Sequence, residues 1–598
     1  MKTKNNHKLK TLLTATILGW TATLQLTAAT LTVTNATDGA AGSLRARVAA
    51  AAGGDVITFD SSLSGQTLAL TNEISPTASP LTITATNLAA RLTLQGNGVK
   101  RVIYNGYGLS LTISGVTITG GGGTGADTGF NNHGGGVLNR GTLTMDRCTL
   151  TANSASYGGG IENSAVATLV MTNCTISGNN STYSGGISII QDTTLLNCTI
   201  SSNSSSYYAG GDVSGTAVLK NCTIAHNTSS SQTGWLLSGG NMTMINCTFA
   251  SNSAASLGGI VLFSATLLMT NTILVGNSPA DLANVSGGTI AGTSNLIGGN
   301  PLLGPLQNNG GPTLTMAIST NSPAFNAGTA IVGLNTDQRG RTRQAFGAPD
   351  IGAYEFTAFD TGQTIVTTPD GAYWYVGLPV TGSDLSIYRE VSGQLPVNVG
   401  GAALRIGQAN DSTVLVENST GGVYSRTGST SGIGSGWQQL TSVTAGDAAT
   451  WFLGPDAGYG SLNIYRWATN GLPTFSNGAG TNLTVLFDGS IMTRAYNQTT
   501  FRRLGSSAGL GSAWVQVYLA TNSPTLKNTV KLGNGSVQFS FTNQSGLTFS
   551  VYASTNAALP LAQWTPLGNP VESPAGSFQF ADSQATNAAS RFYRVTSP

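Results

Sequence analysis

The sequence predicts an all-β protein: a solenoid of stacked coils, followed by a small propeller-like domain and a C-terminal β-sandwich. Three patterns predict it: an eight-residue phrase that returns about every 24 residues, a second repeat of about 40 residues, and alternating apolar residues near the C terminus. The composition agrees, because 79 of the 598 residues are Gly and only 8% are charged. Small, turn-forming residues suit the sharp corners of stacked strands.

Residues 1–29 have the pattern of a secretory signal peptide. Four lysines in the first ten residues precede an uncharged segment, TLLTATILGWTATLQLTAA, which ends in small residues. An uncleaved membrane anchor is the alternative, and we favour it less because the segment is short and contains several Thr. No other segment is long and apolar enough to span a membrane. The sequence therefore predicts a secreted, extracellular or outer-surface protein with no transmembrane span in its mature chain.

The charge balance argues against nucleic acid as a partner. Removing residues 1–29 deletes four lysines and no acidic residue, so the formal net charge changes from +2 to −2. A nucleic-acid-binding surface needs an excess of Lys and Arg. We therefore expect a different kind of ligand.

The main repeat is marked by the Cys residues of the chain. The phrases NCTISGNN, NCTISSNS, NCTIAHNT and NCTFASNS contain one Cys each, and the remaining Cys stands in DRCTLTAN. These markers follow one another at steps of 26, 24, 24 and 25 residues: Cys148, Cys174, Cys198, Cys222 and Cys247. Leu92 and Val116 upstream and Asn271 downstream extend the same column. A period of this length indicates stacked coils.

Within each coil, the spacing of apolar residues predicts short strands joined at a sharp corner. Apolar or small residues fall three positions before the marker, at the marker and two positions after it, as at Met171, Cys174 and Ile176. Alternation by two is typical of a strand with one buried face, whereas a step of three requires a bend. The bend falls on Asn173 and on the equivalent Asn of the next coils, and Asn tolerates the left-handed conformation.

A second strand is predicted at the Gly-Gly-Ile phrase of each coil, as at Gly160 and Ile161. One coil of about 24 residues cannot bury its own inner face, so neighbouring coils must stack about 4.8 Å apart. We therefore assign residues 30–303 to the coil stack. A short amphipathic helix, with Ser43 as its N-cap and extending through Ala52, is expected to cover the open first coil.

The Cys column has two interpretations. Stacked coils bring Cα atoms within disulfide range, so disulfides are one alternative. A ladder of small buried thiols is the other, and we favour it. One Cys per coil does not match the C-x-x-C spacing of a metal site, so we predict no metal.

The repeats and their flanking segments resemble bacterial right-handed parallel β-helix proteins, including the polymorphic outer-membrane protein type. Upstream, GSLRARVAAAAGGDVITF is similar to the entry segment of such proteins. Downstream, GPLQNNGGPTLT, TDQRGRTR and DIGAYEF resemble the closing part of the choice-of-anchor Q domain. The resemblance implies a right-handed parallel β-helix for residues 30–303 and a closing segment at residues 304–356.

Residues 357–524 contain a different repeat. IYRE, VYSR, IYRW and TFRR recur at steps of 36, 41 and 36 residues, and GSTSGIGSGW aligns without a gap to GSSAGLGSAW 77 residues later. Four units of about 40 residues are typical of propeller blades, and TGQTIVTT could supply a strand that closes the ring. The units resemble tectonin-type propeller repeats, which implies binding of a glycan or another surface ligand.

Four Trp residues of this repeat are candidate ligand-binding residues. Exposed indole rings can stack on sugar faces, whereas Trp that recurs in register usually belongs to a core, and we favour the core interpretation. The four form two pairs 77 residues apart: Trp374 with Trp451, and Trp437 with Trp514. After them, residues 525–598 contain the alternating segments VQFSFTN and LTFSVYAS, which predict a small β-sandwich.

Glu162, Arg140 and His133 are the candidate catalytic residues of the coils. Polysaccharide lyases and hydrolases built on β-helices need acid and base groups gathered on one face over neighbouring coils. Charged residues are sparse in this region, and solvated surface positions are the alternative interpretation for all three.

The position after Ile161 is the place where a catalytic column would be visible. Over the coils that carry the Gly-Gly-Ile phrase it reads Leu138, Glu162, Ser188 and Val261. We therefore expect no column of carboxylates.

Charged residues of the closing segment invite a catalytic assignment, but their motif favours another role. We expect Asp337, Arg339 and Asp350 to form salt bridges or to cap turns at the end of the stack. No phosphate loop, H-E-x-x-H or G-x-S-x-G motif is present, and we predict no cofactor.

These patterns favour a secreted or cell-surface bacterial binding or adhesion protein, in which a β-helix stalk carries β-rich modules directed at glycans or another surface. The alternative is a polysaccharide lyase or glycoside hydrolase with accessory binding domains. We favour the binding protein over the enzyme because titratable residues are not concentrated in the sequence.

Overall fold

The computed structural model describes residues 28–392, 394–458, 460–469, 471–486, 489–507, 509–511, 513–517, 524–587 and 590–596. The predicted signal peptide therefore lies almost entirely outside the described residues. Within the described residues, no helix has the length and apolar character needed to cross a membrane.

The chain forms two compact units. The coil unit contains residues 28–244, Phe249–Leu268 and Gly276–Ala291. The second unit contains Ile245–Thr248, Met269–Val275 and residues 292–596. The architecture is all-β, with a parallel solenoid of about eleven turns followed by antiparallel sheets.

Parallel strands of successive coils form four long sheets, as the 24-residue period predicts. The first sheet contains Thr30–Val33, Val56–Phe59, Leu81–Thr84, Ser110–Ser114, Thr142–Asp146, Thr168–Thr172, Thr193–Leu196, Thr216–Lys220, Asn241–Ile245, Thr266–Thr270 and Thr289–Thr293. The second contains Thr67–Ala69, Leu92–Gln95, Val116–Thr119, Thr149–Thr151, Thr175–Ser177, Thr199–Ser201, Thr223–Ala225, Thr248–Ala250, Ile273–Val275 and Leu296–Ile297.

The other two sheets are shorter. The third contains Ser154–Ala155, Asn180–Ser181, Ser204–Ser205, Thr228–Ser229 and Ser253–Ala254. The fourth contains Ile103–Asn105, Val137–Asn139, Ile161–Asn163, Ile187–Ile189, Tyr208–Val213, Thr233–Ser238, Gly258–Phe263 and Leu282–Ser286. Four strands of the fourth sheet lie at the predicted Gly-Gly-Ile or Gly-Gly-Val phrases: Val137–Asn139, Ile161–Asn163, Ile187–Ile189 and Gly258–Phe263.

The inner face of the coils is apolar, and its side chains stack on their equivalents in the next coil. Strand Thr142–Asp146 pairs in register with Thr168–Thr172, so identical positions face each other. The inward residues of these two coils are fully buried: Leu143, Met145, Cys148, Leu150, Leu169, Met171, Cys174 and Ile176. All five Cys are buried and none forms a disulfide, which confirms the thiol ladder.

The predicted corner residues adopt the left-handed conformation. Their φ angles lie between 49° and 55°: Asn173, Asn197, Asn221, Asn246 and Asn271. One column assignment is wrong, since Asn271 is itself a corner residue and Thr272 occupies the marker position before strand Ile273–Val275. In the first Cys-containing coil, Arg147 takes the corner position with a φ of 51°.

A second ladder, of buried amides, runs along the coils. In each step, the Asn Nδ2 and backbone N–H of one coil donate to the Oδ1 of the Asn in the next coil, at 2.8–3.1 Å. Its members are Asn153, Asn179, Asn203, Asn227, Asn252 and Asn277. The ladder satisfies polar groups that the tight turns would otherwise leave unpaired.

The N-terminal end carries the predicted helix, which runs over Leu44–Ala50 and so ends two residues earlier than expected. Ser43 is its N-cap and accepts a hydrogen bond from the N–H of Ala46. Leu44 and Val48 are its buried residues. Short 3₁₀ turns occur at Ser61–Leu63, Thr128–Phe130, Ala358–Asp360, Leu561–Gln563 and Ala585–Asn587.

Four antiparallel sheets of four strands each follow the closing segment, one for each predicted unit. The first contains Ile365–Thr367, Tyr373–Thr381, Asp384–Glu390 and Val397–Ala403, and the second Arg405–Gln408, Val414–Glu417, Val423–Arg426 and Trp437–Gln439. The third contains Ser442–Thr444, Thr450–Gly458, Ser461–Trp467 and Thr474–Gly480, and the fourth Asn482–Val485, Ile491–Arg494, Thr500–Arg503 and Trp514–Val517. TGQTIVTT supplies the first strand of the first sheet, and closure of a ring by this strand stays a prediction.

Two further sheets form the C-terminal part. One contains Lys527–Lys531, Val537–Thr542, Ser577–Asp582 and Val571–Glu572, and the other Thr565–Gly568, Ser550–Ser554 and Phe592–Thr596. Their shared core includes Phe541, Phe549 and Phe578, with Val595 packed against it. Leu306–Gln307 and Thr315–Met316 form a separate antiparallel pair in the closing segment.

Candidate functional site

Titratable side chains concentrate on the outer side of the fourth sheet, in the coil unit. The strand register places five residues in one column: Tyr104, Leu138, Glu162, Ser188 and Asp212. Two of these residues are carboxylates, and Ser188 separates them, so the column is not a continuous row of carboxylates.

The sequence places Asp212 about two coils after Glu162, but its position in the column was not assigned because its coil departs from the Gly-Gly-Ile phrase. Gly211 takes the place that Ile161 and Ile187 hold in the preceding coils. A Cβ at Gly211 would lie 3.3 Å from the fully buried indole of Trp235, so the large ring of the next coil replaces the missing side chain. In the sequence, this slot reads Ala-Gly-Gly over residues 209–211, and Asp212 follows it directly.

Two of the three candidate catalytic residues, Glu162 and His133, are in direct contact. Glu162 Oε2 lies 2.8 Å from Nδ1 of His133. Glu162 is fully buried, whereas the side chain of His133 remains 25% exposed. Oε1 of Glu162 has no hydrogen-bond partner among the described residues. Glu162 thus orients an imidazole that solvent can reach.

Arg140, the third candidate, forms a separate group with residues of the Gly-rich insertion. Its guanidinium bonds to Asp127 and lies 4.2 Å from the ring centre of Phe130. The hydroxyl of Tyr104 also donates to Asp127, at 3.0 Å. Burial raises the pKa of Asp127, but the bonds from Tyr104 and Arg140 outweigh it and leave the pKa below its usual value.

A buried ion pair fixes the insertion to the coils. Arg101 is 1% exposed, and its Nε lies 3.4 Å from Glu73 Oε2. Arg101 Nη2 donates to the carbonyl oxygens of Gly123 and Phe130, and the N–H of Ala126 donates to Glu73 Oε1. The insertion is therefore an anchored cover over this part of the fourth sheet.

The carboxyl group of Asp212 has a raised pKa. Burial raises its pKa to about 6, hydrogen bonds from Ser184 and Ser188 oppose that shift, and the charge of Glu162 adds to it. Asp212 keeps partial solvent exposure. In the described part of the chain, no group of three or more His, Cys, Asp or Glu side chains could hold a metal ion.

The four Trp candidates divide into a buried pair and a partly exposed pair. Trp374 and Trp451 are fully buried in the cores of their sheets, so neither offers a ring face to a ligand. Trp437 and Trp514 pack against those cores but keep part of their surface exposed. Only this second pair can contact a ligand.

Trp437 lines a pocket of about 230 Å³. Its indole N–H donates to the carbonyl of Gly400 at 2.7 Å, and Arg426 lies 5.2 Å from its ring centre. The other lining residues are Ile387, Gly401, Ala402, Val416, Asn418 and Tyr424. The pocket therefore combines an aromatic wall with one amide side chain.

The same local arrangement recurs 77 residues later at Trp514. Its indole N–H donates to the carbonyl of Ser476 at 3.1 Å, and Arg503 lies 5.6 Å from its ring centre. Gly478 corresponds to Gly401, and in both places a Cβ would collide with the indole. The two Gly residues thus make room for the two rings.

The charged residues of the closing segment form a buried network, as the sequence predicts. Arg339 bonds to Asp337 at 2.8 Å and to Asp360 at 2.7 Å. Asp350 accepts hydrogen bonds from the backbone N–H groups of Asn326 and Phe356. These contacts hold the turns of the closing segment together.

The fold defines the class of the protein: it is a parallel β-helix protein with appended antiparallel β-sheets. Residues 97–278, less than half of the chain, match the family model described as right handed beta helix region. That segment includes the Cys column and the column of Glu162 and Asp212. No curated protein matches the chain.

Proposed function

We propose that the protein is a secreted or cell-surface bacterial binding protein, in which a β-helix carries antiparallel β modules that bind glycans. In this proposal, residues 304–356 are a closing segment of the choice-of-anchor Q type. The four sheets of residues 357–524 are propeller repeats of the tectonin type. Residues 1–29 direct export.

The Trp437 pocket is the observation that supports glycan binding most strongly. A sugar ring has an apolar face and a rim of hydroxyl groups, so it pairs well with an indole beside an amide. Trp437 offers such a face, with Asn418 and Tyr424 in the same pocket. The bond to Gly400 fixes the ring before any ligand arrives, which lowers the entropic cost of binding.

Duplication of the arrangement at Trp514 favours a multivalent ligand. The second position keeps the indole but has Ala495 where the first has Asn418. Two related aromatic sites on one chain increase the apparent affinity for a surface that displays many copies of the same sugar. Weak individual sites are sufficient under those conditions. Adhesion to a glycan-coated surface is therefore the activity that this arrangement fits best.

A glycan array probed with the full chain tests the proposal. We expect binding to a restricted set of glycans, and Trp437→Ala should weaken it about 30-fold, the effect of removing one central aromatic contact. Tyr496→Ala, which removes an exposed ring outside the pocket, is the matched control and should bind as the parent does. Binding that survives loss of both Trp437 and Trp514 would refute the proposed site.

A second candidate function, polysaccharide cleavage, is supported by the column of Glu162 and Asp212. The two residues are two strands apart, so their Cα atoms lie about 10 Å from each other. Carboxyl pairs in inverting glycosidases are about 6.5–9.5 Å apart. Burial of Glu162 weighs against this function, because a substrate would have to displace the covering residues.

Incubation with neutral and acidic polysaccharides separates the two functions. Cleavage would release reducing or unsaturated ends, and both Glu162→Gln and Asp212→Asn should abolish that release. The binding proposal predicts no product with any polymer. Product that disappears in both variants would establish the enzyme instead.

A further inference from the structure

We propose that Tyr157 and Tyr183 form an oxidative cross-linking site, at which a one-electron oxidant joins two successive coils through a covalent bond between the two phenol rings. Both residues lie in the coil unit, in the turn that leads from the third sheet to the fourth. A Tyr stands in this turn in three successive coils, with Tyr207 as the third. The chemistry of this site is independent of glycan binding by the second unit.

The rings of the three Tyr residues stack along the coils. The ring centres of Tyr157 and Tyr183 lie 4.5 Å apart with an interplanar angle of 5°, and those of Tyr183 and Tyr207 lie 5.0 Å apart at 12°. Both distances are close to the spacing of about 4.8 Å between neighbouring strands. The N–H of Tyr183 donates to the carbonyl oxygen of Ser156 at 2.9 Å, which ties the two turns together. The stacking therefore follows from the repeat of the coils.

The two phenol rings of the closest pair have the same orientation. Burial and the hydroxyl of Tyr183 both raise the pKa of Tyr157, which places the two hydroxyl groups beside each other. When parallel rings have neighbouring hydroxyls, the ortho carbons of one ring face those of the other. Oxidised phenols couple through these carbons. The fold thus holds the reacting carbons near each other before oxidation, which favours coupling within one chain.

An oxidant in solution can reach the phenols but not the thiols of the coils. Tyr157 is 37% exposed, and Tyr183 is half-buried. All five Cys are buried, so they are inert toward such a reagent. Proteins in oxidising surroundings are commonly tied by disulfides, and the Cys of this chain form none. A bond between Tyr residues is therefore a covalent tie that remains open to this coil stack.

The coupling is a two-electron oxidation of the chain. A peroxidase acting with hydrogen peroxide removes one electron from each ring, and each hydroxyl releases its proton to water. The two phenoxyl radicals form one carbon–carbon bond between ortho carbons, and the hydrogen on each coupled carbon moves as a proton to the oxygen of its ring. The chain loses two hydrogen atoms, and hydrogen peroxide is reduced to water.

Peptide mapping of the full chain provides the test. The protein is treated with a peroxidase and hydrogen peroxide, and the monomer is isolated on a denaturing gel. Trypsin and a Glu-specific protease then separate Tyr157, in peptide 148–162, from Tyr183, in peptide 163–220. In the oxidised parent these two peptides should be joined, with a combined mass lower by two hydrogen atoms, and the chain should show dityrosine fluorescence.

Two Tyr→Phe variants separate this site from other Tyr residues. Tyr183→Phe keeps a ring in the stack but lacks the hydroxyl that oxidation requires, so it should abolish the joined peptides. Tyr107→Phe is the matched control, because Tyr107 is 69% exposed and lies outside the stacked rings. It should leave the yield of joined peptides at the level of the parent.

Thermal unfolding shows whether the bond ties the coils. A cross-link between residues in successive coils restricts the unfolded chain, so the oxidised parent should unfold at a higher temperature than the untreated parent, and Tyr183→Phe should show no such rise. The absence of joined peptides in the oxidised parent overturns the proposal, as do joined peptides that persist in Tyr183→Phe. Cross-links found only between separate chains, or an unfolding temperature that cross-linking leaves unchanged, also overturn it.

Discussion

Asp212 is a carboxyl group whose described partners are hydroxyls. Ser184 Oγ donates to it, and Ser188 provides a further side-chain hydrogen bond. Burial raises its pKa to about 6, and the charge of Glu162 acts in the same direction. Such a group favours the protonated state in the folded protein, so its contribution to stability depends on pH.

The pH dependence of unfolding should report this carboxyl. An unfolded Asp ionises near pH 4, so between about pH 4 and pH 6 the folded protein holds more protons. Its contribution to the free energy of unfolding is therefore present below pH 4 and is lost as the pH rises through about 6. Asp212→Asn should remove that loss, as measured by guanidinium unfolding at pH 4 and pH 7.

Asp192→Asn is the control for this experiment, since it neutralises an exposed carboxyl of the same region. We expect it to keep the pH dependence of the parent chain. If Asp212→Asn and the parent lose the same free energy between the two pH values, the carboxyl of Asp212 does not have the raised pKa described here.

At the scale of the coil, each corner depends on a residue that accepts a positive φ. Asn holds that position in several coils, but Arg147 holds it with a φ of 51°. An L-residue other than Asn or Gly pays about 1–2 kcal/mol in this conformation. The exposed ion pair from Arg147 to Asp146 offsets only about 0.5 kcal/mol, because the Arg side chain is 56% exposed.

Replacing that Arg should stabilise the coil. We expect both Arg147→Asn and Arg147→Gly to raise the free energy of unfolding by about 0.5–1 kcal/mol, and Arg147→Val to lower it. Urea unfolding of the three variants checks the order. A loss of stability in both the Asn and the Gly variant would show that the corner conformation is not the source of strain.

The amide ladder links coils through buried hydrogen bonds. Asn203 donates to Asn227 Oδ1 and to the carbonyl of Ile176, and it accepts from Asn179. Asn203→Ala would leave several of these groups buried and unpaired, so it should cost about 3 kcal/mol or more. Asn180→Ala, at an exposed position, should cost less than about 0.5 kcal/mol. Equal losses in urea unfolding would contradict a stabilising ladder.

At the scale of the whole molecule, most of the fold was predictable from the repeat of about 24 residues. Stacked coils force equivalent residues into register, so the spacing of Cys and Asn was enough to place the buried thiols and the corners. The 77-residue duplication likewise predicted four antiparallel sheets. Both predictions rest on the spacing of residues along the chain, because equivalent positions of a repeat take equivalent places in the structure.

Features that depend on neighbouring coils were not predictable in the same way. The position of Asp212 in the column of Glu162 was not predictable, because Trp235 fills the space that an Ile holds elsewhere. The repeat alone could not show that Trp374 is buried and Trp437 partly exposed, since both recur 77 residues later.

Export of the chain is a further prediction at this scale. If residues 1–29 are a cleaved signal peptide, the protein recovered from the culture medium should begin at Thr30 or within a few residues of it. N-terminal sequencing of the exported chain gives the answer. A chain that retains its first residues and stays with the membrane would favour the uncleaved anchor.

Thiol titration tests the central claim that successive coils stack in register around one buried column. In the native protein, a thiol-specific chromogenic reagent should find no reactive Cys, because all five thiols are buried and none is in a disulfide. After unfolding in guanidinium without reductant, five thiols per chain should react. Fewer than five, or rapid reaction in the native state, would contradict the stack.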